Sequence, residues 1–353
     1  MRKINIQLII ILLGIIFLFN TFVVVGFNEV VEDKLILENS DDFYFVHLTD
    51  THIKHKIYDR NENSKSRLST VIEYVISFEK KPAFIVITGD LTEWGGSGIT
   101  GALNCKTFAD CFYEMDGQLY VDEGLSIPVY TTPGNHDYCF NRNLKNYHKY
   151  IDKNHIDEKD RYIVTHGNVS LFFMDSGPNY YLNPITWIDI CGEGLYNCDI
   201  EWLDEAFNNS SNKKIVLMHH PAVNKPNKWG FIGGVIIKNR ENFINLCEQY
   251  SAELVLAGHT HNAIVYDSNQ NLYTDFPLNS SMYPTLFVQS DDCKEGIHYR
   301  NISIKGDDIW VEKSVEIETS IPEENNIITR YEYIFMNIER YISYPSITGE
   351  RQS

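Results

Sequence analysis

A chain of 353 residues has room for one large domain or two small ones and can bury a sizeable core unaided. Its 48 acidic residues outnumber 30 basic ones, for a formal charge of −18, and no block of Lys and Arg interrupts that balance. This excludes a surface built to grip long nucleic acid, which needs clustered cations.

The first element in chain order is an export segment. Arg2 and Lys3 precede residues 8–19, which contain no polar side chain; Asn20 and Thr21 separate them from a second apolar stretch, 22–27. Basic residues ahead of a long apolar run are an export signal, and the two halves together reach about 20 residues, enough to span a bilayer. Residues 1–27 are therefore expected to be either a cleaved signal peptide or an N-terminal membrane anchor. In both cases the positive charges at the start put the rest of the chain outside the cytoplasm, secreted or anchored to the membrane by residues 7–27. Residues 28–41, rich in Glu, Asp and Asn, read as a linker. Seven cysteines in an exported chain are expected to be bridged, and Cys105 with Cys111, and Cys191 with Cys198, are close enough in sequence to staple local loops. None forms a C-x-x-C pair, which argues against a thiolate zinc site or a redox motif.

Short apolar runs of strand length follow at 43–48, 83–88, 127–132, 169–174, 214–218 and 253–257. Helical patterns lie between several of them, notably at 66–79 and at 199–207, the latter with Asp199 as N-cap. Strands alternating with helices predict an α/β layer arrangement over a domain at 42–316. From 263 to 315 the pattern turns to short alternating strands without a helix, which predicts antiparallel pairing. In the extension at 317–353, Ile328, Tyr331, Phe335, Ile338 and Ile342 recur at helical spacing, so a helix packed back on the body is expected there.

Five of the strand-length runs end in the same way. The first runs into Asp50-Thr51-His52, the second into Gly89-Asp90, and the third into Gly134-Asn135-His136-Asp137. The run at 214–218 meets His219-His220, and the last meets Gly258-His259-Thr260-His261. Any one of these alone is more often a turn or a cap. Five strand ends with metal-ligand residue types point to one site, because ligands of α/β sheets bind at the carboxyl ends of strands. Imidazoles mixed with carboxylates suit Mn, Fe, Zn, Ni or Co, whereas Mg and Ca prefer oxygen alone. Two such divalent ions can hold both the attacking and the departing oxygen of an in-line displacement, and Asp90, alone behind a glycine, is the choice to bridge them.

The ordered series Asp50-x-His52, Gly89-Asp90, Gly134-Asn135-His136-Asp137, His219 and Gly258-His259-x-His261 resembles the calcineurin-like metallophosphoesterases, over roughly residues 43–315. The resemblance implies a four-layer αββα sandwich of two mixed β-sheets flanked by helices, with the metals at one edge. It implies that Asp50, His52 and His261 hold one ion, that Asn135, His219 and His259 hold the other, and that Asp90 bridges. His219 is preferred to His220 because the family's histidine directly follows the strand, and adjacent strand residues point in opposite directions. The resemblance further implies a metal-bridging hydroxide as nucleophile, His136 as the group that stabilises the phosphoryl oxygens and protonates the leaving alkoxide, and Asp137 as the partner that orients His136. Two departures narrow the expectation. Glu93 stands where purple acid phosphatases carry a ligand tyrosine, and Leu91-Thr92-Glu93-Trp94 replaces the Asp-Arg pattern of the protein Ser/Thr phosphatases. The expected activity is hydrolysis of phosphodiesters or phosphomonoesters of a small molecule, a nucleotide or a phospholipid headgroup. The alternative is a noncatalytic, metal-containing binding module on the same fold.

Overall fold

The computed structural model describes residues 42–318 other than 97, 113–117, 122–124, 140–142, 152–160, 181–189 and 229. The expected signal or anchor, the linker up to residue 41 and the helix expected in the C-terminal extension lie outside the described residues. Among the described residues, no helix is long and apolar enough to cross a membrane.

The first half of the chain forms β1 (Phe43–Leu48), α1 (Asn63–Ile76), β2 (Ile85–Thr88), α2 (Gly98–Ala109), β3 (Gln118–Val121), β4 (Leu125–Thr132) and α3 (Lys145–Tyr150). It continues through β5 (Arg161–His166), β6 (Val169–Met174), β7 (Asn179–Tyr180), β8 (Cys191–Gly194), α4 (Asn197–Asn209) and β9 (Lys213–Leu217). The second half forms β10 (Ile236–Lys238), α5 (Arg240–Gln249), β11 (Leu254–Ala257), β12 (Ile264–Tyr266), β13 (Leu272–Tyr273) and β14 (Leu278–Asn279). It ends with β15 (Leu286–Gln289), β16 (His298–Lys305), β17 (Asp308–Val311) and β18 (Val315–Glu316).

Two mixed sheets carry the fold. One has the order β14-β17-β16-β1-β2-β4-β3 with β18 against β16; the other has the order β13-β12-β15-β11-β9-β6-β5. In each, the central strands run parallel and the edges antiparallel: β1, β2 and β4 in the first, β6, β9, β11 and β15 in the second. Side-chain alternation along these strands separates three cores. Phe45, Val86, Leu171, Phe173, Ile215, Leu217, Leu254 and Leu256 pack between the sheets. Val46, Leu48, Ile85 and Ile87 face the other way, onto Leu68, Val71 and Val75 of α1 and Phe108 of α2. On the far side, Phe172, Val216 and Val255 meet Leu203 and Phe207 of α4 and Phe243 and Ile244 of α5. These cores account for the αββα layering, and strands buried on both faces read as continuous apolar runs. Truncating one such residue, Ile87 for example, would cost about 2–5 kcal/mol.

Three local expectations fail for identifiable reasons. Strands after residue 263 are not all antiparallel: β15 lies parallel to β11, in register from Leu254↔Leu286 to Ala257↔Gln289. Three apolar residues and a glutamine carry no directional signal, so only sheet pairing decides this. Asp199 is the third residue of α4, not its N-cap; its Oδ2 accepts from Tyr196 N at 2.8 Å. Neither cysteine pair is bridged. Cys105 lies in α2 and Cys111 in the turn after it, and their Sγ atoms go to different carbonyls, Gly95 O and Thr107 O.

Candidate metal centre

The loops leaving β1, β2, β4, β9 and β11 meet where the parallel strands end. The turns there are sharp. Asp50, His52, Asp90, His259 and His261 all have positive φ, between 44° and 69°. That is a left-handed conformation non-glycine residues seldom adopt and one that recurs where function demands it. The glycines give room for close approach: a Cβ on Gly134 would stand 2.2 Å from Asp90 N, and one on Gly258 1.8 Å from Thr49 Oγ1.

Each carboxylate spends one oxygen on the scaffold and turns the other inward. Asp50 Oδ2 accepts from Thr49 Oγ1 (2.6 Å) and His259 N (2.9 Å), leaving Oδ1 3.3 Å from His261 Nε2 and 3.7 Å from His52 Nε2. Asp90 Oδ1 accepts from His136 N (2.8 Å), leaving Oδ2 3.6 Å from His52 Nε2 and 3.3 Å from His219 Nε2. His219 Nε2 in turn lies 3.0 Å from Asn135 Oδ1. Asp90 therefore stands between two groups of donors. Asp50, His52 and His261 form one, with ligand atoms all within 4.8 Å of one another; His219, His220 and His259 form the other, and Asp90 joins the two in a set with Asp50 and His219. Asp50 Oδ1 and His52 Nε2 are buried with no hydrogen-bond partner. Two buried orphan atoms facing the same point, a carboxylate oxygen and a ring nitrogen, are what a divalent ion would satisfy, so the residues present fit a metal pair.

His220 also lies against this cluster. β9 ends at Leu217, so strand alternation no longer governs residues 219 and 220. The His220 ring lies 4.3 Å from that of His259 and 4.8 Å from that of His219, with its Nδ1 2.9 Å from Ser176 Oγ. Its Nε2 is a further buried orphan.

The expected contact from Asp137 to His136 is not made. Asp137 Oδ1 accepts from Thr92 N and Thr92 Oγ1, and Oδ2 from Leu91 N and Gly134 N. Four donors saturate the carboxylate, which stitches the loop after β2 to the loop after β4. Burial and the nearby charge of Asp90 push it up to about 6. His136 Nδ1 instead donates to Glu93 O at 2.7 Å, which leaves Nε2 facing the centre, 4.0 Å from Asp90 Oδ2. Glu93, noted in the sequence only as a departure from relatives, is buried, with Oε2 3.0 Å from His52 Nδ1 and 3.2 Å from Lys294 Nζ. Asp292 Oδ2 lies 3.3 Å from His261 Nδ1. Sequence reading missed Asp292 and Lys294, although the apolar strand β15 running into Ser290-Asp291-Asp292 repeats the signal carried by the other strand ends.

Charge in the cluster follows the carboxylates. Burial alone would raise Asp50, but the neighbouring charges of His261 and His219 hold it well below the usual range; for Asp90 the same is done by His219 and His136. Burial and Lys294 push His52 down, yet Glu93 and Asp50 outweigh them and carry it up to about 9. His219 likewise reaches about 9, burial being overcome by Asp90 and Asp50. Burial, then the charge of His219, drives His259 down to about 4. Protons thus sit where bound cations would replace them.

Comparison with known proteins agrees with this geometry. The family model of the calcineurin-like phosphoesterases matches residues 43–263. No curated protein matches the chain. Among solved structures, GAP50, the anchor in the inner membrane complex of Plasmodium, is 12% identical with a TM-score of 0.48, covering 82% of this chain and 94% of its own. The purple acid phosphatase PPD1 from yellow lupin seeds is 12% identical with a TM-score of 0.46, covering 80% of this chain and 48% of its own. Calcineurin-like phosphoesterase YfkN from Bacillus subtilis is 13% identical with a TM-score of 0.39, over 86% and 99%. With the family model spanning every strand end that brings a donor to the centre, the chain belongs to the calcineurin-like phosphoesterase family.

Proposed function

We propose that the protein is an extracytoplasmic, metal-dependent phosphoesterase that hydrolyses phosphodiesters or phosphomonoesters of a small molecule, a nucleotide or a phospholipid headgroup. The observation that carries this reading is the convergence of donors from five strand ends around Asp90, with His136 beside them. Asp50, His52 and His261 would hold one ion, Asn135, His219 and His259 the other, and Asp90 both. Two divalent ions supply Lewis acidity to a phosphoryl group and lower the pKa of bound water towards neutrality. The chain's own residues do the rest. Glu93 O accepts from Nδ1 of His136 and so aims Nε2 at the leaving oxygen; Nε2 gives up a proton there only from the imidazolium form, which burial disfavours and the charge of Asp90 favours. At 11% exposure, His136 stays reachable, whereas Asp50 and His219 are fully enclosed. The basic residues ahead of the apolar N-terminal run support the location outside the cytoplasm.

Hydrolysis of bis-p-nitrophenyl phosphate against p-nitrophenyl phosphate, by the full chain with Mn, Zn, Ni, Fe and Mg supplied separately, tests the reading. Turnover with a transition metal is expected, and preference for the diester would make the protein a phosphodiesterase. Protein that binds two ions yet turns over neither ester would instead be a noncatalytic binding module.

A further inference from the structure

The family model ends at residue 263, but a turn beyond it reaches the centre. Because β15 is parallel to β11, its carboxyl end emerges beside the loop that carries His259 and His261. The following turn, residues 290–294, is tied down at several points. Ser290 N donates to Ala257 O (3.0 Å), Cys293 N to Thr49 O (3.2 Å), and His298 Nδ1 to Asp292 O (2.8 Å). Asp292 is 3% exposed, and its Oδ1 accepts from Lys294 N (2.8 Å) and Glu295 N (2.6 Å), so the carboxylate cannot rotate and Oδ2 is held towards His261 Nδ1. Two residues on, Lys294 Nζ meets the Glu93 oxygen that faces His52 Nδ1.

We propose that the 290–294 turn positions both imidazoles of the Asp50 half, Asp292 directly on His261 and Lys294 through Glu93 on His52, and so sets how tightly that half holds its ion. The proposal rests on reading Asp50, His52 and His261 as ligands. A carboxylate on the far nitrogen of a ligating imidazole fixes its tautomer and raises its basicity as a donor. With both Nδ1 atoms facing carboxylates, both Nε2 atoms are left for the ion, and Nε2 is the atom that each ring turns towards Asp50 Oδ1. Lys294 holds Glu93 in the position from which it faces His52 Nδ1.

The test is titration of the metal-free full chain with Mn2+, followed by calorimetry and by the EPR signal of the free ion. Asp292→Asn keeps an oxygen for Lys294 N and Glu295 N, so the turn and the fold survive while the negative charge on His261 is lost. One of the two ions is expected to weaken by about 10- to 100-fold, the other remaining as in wild type. Lys294→Met, which leaves every backbone contact of the turn in place, is expected to weaken the same ion, and Lys294→Arg to restore it. Unchanged binding of both ions in Asp292→Asn and Lys294→Met, or equal weakening of both ions, would overturn the proposal. Wild-type protein that takes up no Mn2+ would overturn the ligand reading, and this inference with it.

Discussion

The two halves of the centre are oriented by different chemistry. Around Asp50, the imidazoles of His52 and His261 turn their Nδ1 atoms to the carboxylates of Glu93 and Asp292. Around Asn135, His219 Nδ1 donates to Thr88 O (2.9 Å) and His259 Nε2 to Ile190 O (2.8 Å), both backbone carbonyls. A carbonyl fixes a tautomer but brings no net charge; a carboxylate does both. In the proposed ligand assignment the Asp50 half also has an anionic ligand of its own, where the other half has a neutral amide. A first equivalent of a divalent ion should therefore fill the Asp50 half before the Asn135 half.

The largest expected effect separates ion holding from proton transfer. His136→Ala should lower kcat/KM by about 10²–10⁴ while two ions remain bound; loss of an ion by metal analysis would make His136 part of one half and break the comparison. Next comes occupancy. His261→Ala should remove the ion of the carboxylate-backed half and Asn135→Ala the other, each variant retaining one ion by elemental analysis of dialysed protein. Identical affinity for the remaining ion in the two variants would mean that the halves are not distinct.

Close packing gives a third contrast. A methyl on Gly134 meets backbone at Asp90 N, whereas one on Gly258 meets the Thr49 side chain. Gly134→Ala should cost about 3 kcal/mol in urea unfolding, at the upper end of overpacking, and Gly258→Ala at least as much, because its methyl would stand closer still and Thr49 Oγ1 is pinned to Asp50 Oδ2 and Thr88 O. The smallest effect concerns the wall behind both halves. His47 is buried, with Nε2 2.8 Å from Thr88 Oγ1 and Nδ1 2.9 Å from Ser290 Oγ. Burial, reinforced by the charge of Arg300, pushes it down to about 3. Above the ordinary histidine value the group is neutral folded and unfolded. Between there and pH 3 only the unfolded chain binds the proton, so stability should fall with pH by about 1.4 kcal/mol per unit. In His47→Gln that slope should lose one proton's contribution, measured by urea unfolding at pH 7, 6 and 5.

Much of this centre was legible because the ligand types follow their strands immediately, and strand ends of a parallel sheet share one edge. Phe43–Leu48 and Asp50 belong to one local pattern of apolar run, then turn, then donor, which needs no knowledge of distant contacts. The partners of the histidines were not legible. Asp137 and Glu93 both adjoin motif residues, and only packing shows that the first is used up by four N–H and O–H donors and the second faces His52. The same holds for His220, whose direction depends on where β9 stops.

By itself, the sequence determined the alternation of strands and helices, which strand ends carry metal-ligand residue types, and the family, since all three rest on local periodicity and on residue types at fixed spacing. Tertiary structure alone decided which strand lay parallel to which, which nitrogen of each imidazole faces the centre, and that residues 290–294 stand behind two ligands from distant parts of the chain. Those outcomes depend on pairing and burial between segments far apart in sequence, where spacing along the chain carries no information.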